Sequence, residues 1–194
     1  YDYVSKKNAP LLGERKDLAK QISALEAQEA RSAEEEARLD ELRAQLAAAE
    51  ARPLFKPILG CEVYCARRSR FKKEANVPNP YRPTQSIDNS GWHLVLLAKN
   101  LTGYKNLIKM VSRAWIDGYY YRPRIDKELL EEYHEGIIVS SACLGGEIPQ
   151  HILNGNIEEA ERSIKWFQGI FGEDFYLELQ RHKTTNPLGN QETY

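Results

Sequence analysis

Apolar residues recur first with helical spacing and later in short, nearly continuous runs. Leu18, Ile22 and Leu25 keep the i, i+4, i+7 spacing of one helical face, and Leu39, Leu42 and Leu46 repeat it after a break. The pairs 18 with 46, 22 with 42 and 25 with 39 share one sum, so a chain folded back near Ser32 sets each residue opposite its partner. Ser32-Ala33-Glu34-Glu35 reads as a capping box opening the second helix. The pattern predicts an antiparallel helical hairpin over 14–52, a stretch without Gly, Pro or aromatic residues. Each arm is about 25 Å long at ~1.5 Å per residue. So short a pair buries little and depends on helix propensity and i,i+4 pairing. It is either a docking arm for another subunit or a solvated insertion decorating a loop. Its charged outer faces, with no further apolar stripe, favour the second.

From Pro57 the periodicity switches to alternating strands and helices. Ile58 to Tyr64 is a β-rich run, and Trp92 to Ala98 is apolar enough for a strand buried on both faces. A helix is predicted next, with Thr102 as N-cap, Tyr104, Leu107, Ile108, Val111 and Trp115 facing inward, and an end at Gly118. Asp126 caps a short helix through Tyr133, and Gly136 leads into a strand over 137–141. Helices follow near 148–153 and 157–171, then a strand over 175–179. This order predicts an α/β fold with mostly parallel strands. The stretch 66–91 lacks periodicity and carries Pro78, Pro80 and Pro83, so it is a functional or disordered loop.

Composition narrows the class. The 194 residues suit one domain with an appendage. They carry 27 Lys+Arg against 28 Asp+Glu, a net charge of −1. That balance argues against a nucleic-acid-binding tail or a polybasic membrane anchor and leaves room only for a local basic patch. No window approaches the ~18 apolar residues of a membrane span. Three cysteines, Cys61, Cys65 and Cys143, are too few for a disulfide scaffold and point to a reducing, cytoplasmic setting. Neither end carries a start or stop signal, which reads as a piece of a longer protein.

Candidate chemistry sits near the strands. Cys143 lies just beyond the strand 137–141, where a thiolate can bind a borderline metal such as zinc; the alternative is a buried structural thiol. Glu62 lies in an otherwise apolar strand, and a carboxylate buried there must be paired or metal-bound. His93 is an imidazole heading an apolar strand. Together these three are the donor types of a divalent metal centre. Cys61 and Cys65 share the face opposite Glu62 and read as structural. His134, His151 and His182 read as surface residues. Arg67, Arg68, Arg70, Lys72 and Lys73 surround Phe71 in a loop that either tracks a phosphate backbone or is simply solvated. Tyr119 to Arg124, with Arg122 and Arg124, either stacks bases and grips phosphate or forms a packed strand edge.

The runs Lys56 to Tyr64 (KPILGCEVY), Trp92 to Leu107, Tyr120 to Asp126 (YYRPRID), Ser140 to Glu147 (SSACLGGE) and Phe175 to Gln180 (FYLELQ) resemble, in the same order, motifs of the PHP domain of the alpha subunit of bacterial DNA polymerase III. The resemblance covers most of 56–182. It implies an incomplete distorted (β/α)7 barrel with an inserted antiparallel helical hairpin, divided as 1–13 (a barrel helix end), 14–52 (the hairpin) and 53–194 (partial PHP domain). It places Glu62, His93 and Cys143 on metal-ligand positions for zinc or manganese, while the family's other ligand motifs are not in this chain. The activity implied for an intact site is metal-assisted phosphodiester hydrolysis, as in 3′→5′ proofreading. The alternatives are a scaffold that docks a separate proofreading exonuclease and a free-standing phosphoesterase. DNA synthesis with magnesium, and partners such as DNA, the exonuclease and the sliding clamp, are implied for the longer protein, with no membrane partner.

Overall fold

The computed structural model describes residues 2–28 and 30–180, and the backbone of 183–185 and 191–193. His182 lies outside these described residues. The chain divides into two compact units, Tyr1–Pro57 and Ile58–Tyr194.

The first unit holds α1 (Asp2–Glu26) and α2 (Ala33–Ala51). Leu18, Ile22, Leu39, Leu42 and Ala49 are buried together, with Leu11, Leu25 and Leu46 packed against them. Arg15 donates to the carbonyls of Ala49, Glu50 and Arg52, while Arg43 pairs with Glu26 at 2.7 Å, so the middle of each helix lies beside the end of the other. The capping box at Ser32 is formed in both directions: Ser32 Oγ accepts from Glu35 N, and Glu35 Oε2 accepts from Ser32 N at 2.8 Å. A single helix crosses the boundary expected at residues 13 and 14, Pro10 included.

The second unit contains β1 (Gly60–Ala66), β2 (Gly91–Ala98), α3 (Leu101–Ile116), β3 (Arg124–Ile125), α4 (Lys127–Glu132), β4 (Ile137–Ser140), α5 (Glu147–Leu153), α6 (Ile157–Phe171) and β5 (Phe175–Tyr176). A short antiparallel pair, β6 (Lys183–Thr185) and β7 (Gln191–Thr193), follows. The main sheet has the order β3-β1-β2-β4-β5. It is mixed, and this corrects the expectation of mostly parallel strands: β2 runs antiparallel to both β1 and β4, while β1/β3 and β4/β5 are parallel. No helix separates β1 from β2, and without a crossover element the chain returns in the opposite direction.

One core joins sheet and helices. Val63, Leu94, Leu96 and Val139 from the strands meet Leu107, Met110 and Ala114 of α3 and Phe167 and Phe171 of α6. The inward face of α3 differs from expectation: Gly103, Asn106, Leu107, Met110 and Ala114 are buried, whereas Tyr104, Ile108 and Trp115 are exposed. The cause is a backbone contact. A Cβ on Gly103 would lie 1.8 Å from the Gly136 carbonyl oxygen, so only glycine lets the helix sit there, and Asn106 then donates to the Glu135 carbonyl at 3.0 Å. The cap moves as well, to Asn100, whose side chain accepts from Gly103 N. The last strand is shorter than expected, because its partner β4 ends at Ser140, opposite Tyr176.

Candidate metal centre

Three neighbouring strands deliver the candidate ligands: Glu62 from β1, His93 from β2 and Cys143 from the turn after β4. The turn is built by local backbone choices. Ala142 adopts a left-handed φ of 58°, a conformation that costs a residue with a Cβ about 1 kcal/mol or more. Gly146 N donates back to the Cys143 carbonyl at 2.9 Å, and a Cβ on Gly146 would lie 2.3 Å from the Ser141 carbonyl oxygen. The Gly145 carbonyl accepts from His93 N at 3.0 Å, tying the turn to β2.

His93 Nδ1 lies 2.8 Å from Glu62 Oε1 and 3.4 Å from Cys143 Sγ, and one ligand atom from each of the three residues falls within 4.8 Å of the others. Gly145 N also donates to Cys143 Sγ at 3.4 Å, the kind of bond that orients a thiolate. Tetrahedral zinc with bonds of about 2.0–2.3 Å holds such donors roughly 3.3–3.6 Å apart, so the thiol and imidazole stand at bonding separation, and the exposed carboxylate has to shift from the imidazole toward the thiol to complete the group. The residues fit a divalent ion of the zinc type, with coordination positions left for water or substrate.

Glu62 is not buried, contrary to the expectation from its apolar strand. Its side chain is 58% exposed, because the first half of β1 lies uncovered. Desolvation therefore does not force its pairing, and the carboxylate remains open to an incoming ligand. Burial pushes the Cys65 thiol far up, and burial followed by the nearby Glu62 raises Cys61, so both stay protonated as structural thiols. His134 is exposed as expected. His151 is not: it is buried, with Nδ1 3.0 Å from Tyr81 Oη and its ring against Trp92, because α5 turns it into the core.

The basic residues divide sharply. Arg124, expected to meet phosphate, is fully buried and donates to the carbonyls of Gly118, Asp88, Arg70 and Lys72. Arg70 is likewise buried and pairs with Asp126 at 2.7 Å. Neither guanidinium can reach a nucleic acid; both hold the loop between β1 and β2 against β3. Arg68 is bound by buried Asp88, and Arg67 stacks on Trp92 at 4.2 Å. Lys72, Lys73 and Arg122 are exposed. The loop is thus an ordered charge network rather than a free basic arm. Sequence reasoning missed Ala142 and Gly145 as determinants of the site; the Gly145-Gly146 pair after Cys143 was the available signal.

A mixed α/β sheet that groups a carboxylate, an imidazole and a thiol on adjoining strands defines an α/β protein with a candidate divalent-metal site. Comparison with known proteins is more specific: the PHP domain family matches residues 14–182, and the chain belongs to that family. It is similar to DNA polymerase III subunit alpha of Borreliella burgdorferi (50% identity over 128 residues), Thermus aquaticus (43% over 127) and Deinococcus radiodurans (38% over 143). These alignments cover 66%, 66% and 69% of the chain, but each covers 10% of the relative's length.

Proposed function

We propose that the chain is part of the PHP domain of the alpha subunit of a bacterial, cytoplasmic replicative DNA polymerase. In this reading the sheet is a section of an incomplete distorted (β/α)7 barrel, and α1 and α2 form an antiparallel hairpin inserted into it. Glu62, His93 and Cys143 hold zinc or manganese, and the site acts on phosphodiesters, as in 3′→5′ removal of nucleotides. The observation that carries the reading is the convergence of those three donors on adjoining strands. When bound, the metal lowers the pKa of a coordinated water and offsets charge developing on phosphate oxygens. The protein's part is positional: Gly145 fixes His93 through its backbone and directs its own N–H at Cys143 Sγ, while exposed Glu62 closes the group from the solvent side. DNA synthesis, its magnesium, and the exonuclease and sliding-clamp partners belong to the longer protein.

A scaffold role is the second reading, favoured by the exposed apolar face of α3 at Tyr104, Ile108 and Trp115, a surface suited to another protein. Cobalt titration separates the two. The metal-site reading expects a thiolate-to-cobalt charge-transfer band that disappears in Cys143→Ser and weakens in Glu62→Ala. No band in the wild-type chain, or one unaffected by both substitutions, leaves only the scaffold.

A further inference from the structure

Beside the candidate metal centre lies a polar pocket of about 300 Å³, lined among others by Tyr64, Arg82, Asn89, His93, Tyr121 and Arg122. We propose that this pocket binds the phosphate group of a nucleotide, with Arg82 and Arg122 as its cationic partners, next to His93. The inference deepens the phosphodiester reading and rests on it for the substrate class.

The charge accounting of the neighbourhood carries the argument. Arg68, Arg70 and Arg124 spend their donors on Asp88, Asp126 and backbone carbonyls. Arg82 and Arg122 are exposed and form no ion pair among the described residues, so their guanidiniums keep their forks available for an oxyanion. A third guanidinium adds to the positive field: burial and then Arg82 lower Arg67 to about 10, which places two cations close together.

The pocket is also shaped at a backbone cost. Tyr121 sits at a left-handed φ of 57°, at the tip of a turn closed by Tyr120 N donating to the Arg122 carbonyl at 3.0 Å. A bulky residue in that region is strained, and strain of this kind collects where side chains must be aimed. The turn sets Arg122 over the Tyr64 ring at 5.9 Å, and Tyr64 meets the His93 ring edge-on at 5.1 Å. An anion held by the two arginines therefore shares its pocket with the imidazole that faces Glu62 and Cys143. Tyr121 and Tyr64 add aromatic surface of the kind that accompanies nucleotide phosphates.

The test is a nuclear magnetic resonance titration of the whole chain with inorganic phosphate and with thymidine 5′-monophosphate, at low salt with chelator present. The expected result is saturable shifts at Tyr64, Tyr121 and Arg122, with inorganic phosphate displacing the nucleotide. Arg82→Gln and Arg122→Gln should each weaken nucleotide binding about tenfold, the loss of one charge-assisted bond. Lys165→Gln, on the exposed face of α6, should leave it unchanged. Absent saturation, arginine variants that bind like the wild type, an equal effect of Lys165→Gln, or nucleotide that phosphate does not displace would each overturn the pocket. Cobalt titration of the same protein after the chelator is removed keeps the two ideas apart: phosphate binding without cobalt binding sinks the metal-site reading alone, and the reverse sinks the phosphate pocket alone.

Discussion

His93 and Gly145 fix one another in two ways. The Gly145 carbonyl accepts the His93 backbone N–H at 3.0 Å, and the side chain that Gly145 lacks leaves room for the imidazole, whose Cγ would lie 3.0 Å from a Cβ placed there. Gly145→Ala should therefore displace the ring by a few tenths of an ångström with little effect on folding. Residues that position a ligand in this way are worth about 10–100-fold in metal affinity. Competition of the variant against a chromophoric chelator should show a loss of that size. Affinity equal to the wild type would mean that the ring position does not matter.

Arg124 donates to four backbone carbonyls, three in the loop between β1 and β2 (Arg70, Lys72 and Asp88) and one at Gly118 after α3. Burial lowers the pKa of its guanidinium, and Asp88 opposes that shift. Arg124→Met leaves buried carbonyls unpaired and should destabilise the second unit by about 3–5 kcal/mol. Lys73→Ala, on the exposed side of the loop, should stay within about 0.5 kcal/mol. Urea unfolding followed by tryptophan fluorescence reads this directly, because Trp92, Trp115 and Trp166 all lie in that unit. A cost below about 1 kcal/mol for Arg124→Met would contradict the network.

Burial holds the His151 pKa below its ordinary value, with Lys127 and Arg162 adding to the effect and Glu147 opposing it. Tyr81 caps the ring at Nδ1. The unfolded chain therefore takes up this proton at a higher pH than the folded one. Its contribution to stability is complete above about pH 6.5 and is lost as the pH falls from there through the lower folded value. The unfolding midpoint should drop between pH 7.5 and 5.5 in the wild type and drop less in His151→Gln. Parallel curves for the two proteins would remove His151 as the cause.

In the first unit, Ser32→Ala deletes the side-chain half of the capping box and should cost about 1 kcal/mol. Leu39→Ala opens the buried seam and should cost about 2–5 kcal/mol. Amide exchange in α2 is the measurement: protection should fall slightly for the first variant and collapse for the second. Equal, small effects would show that α2 gains little from packing on α1.

Much of this was legible in the chain. The limits of α6, the strand expected at 137–141 and found at 137–140, the Asp126 and Ser32 caps and the seam of Leu18, Ile22, Leu39 and Leu42 follow from spacing and cap chemistry. The three site residues were named from donor chemistry and from motif likeness, and the structure places them side by side. The arginines were not legible. Arg70 and Arg122 both lie in aromatic-basic stretches, yet one is locked to Asp126 and the other is exposed.

What the sequence determined by itself is therefore local: caps, periodicities and turns, whose energies arise among residues a few positions apart. Tertiary structure alone decided the direction of β2, the rotation of α3 about Gly103, the burial of Arg124 and the exposure of Glu62. Each of these depends on backbone or charge brought from tens of residues away, and no spacing along the chain records which distant partner will arrive.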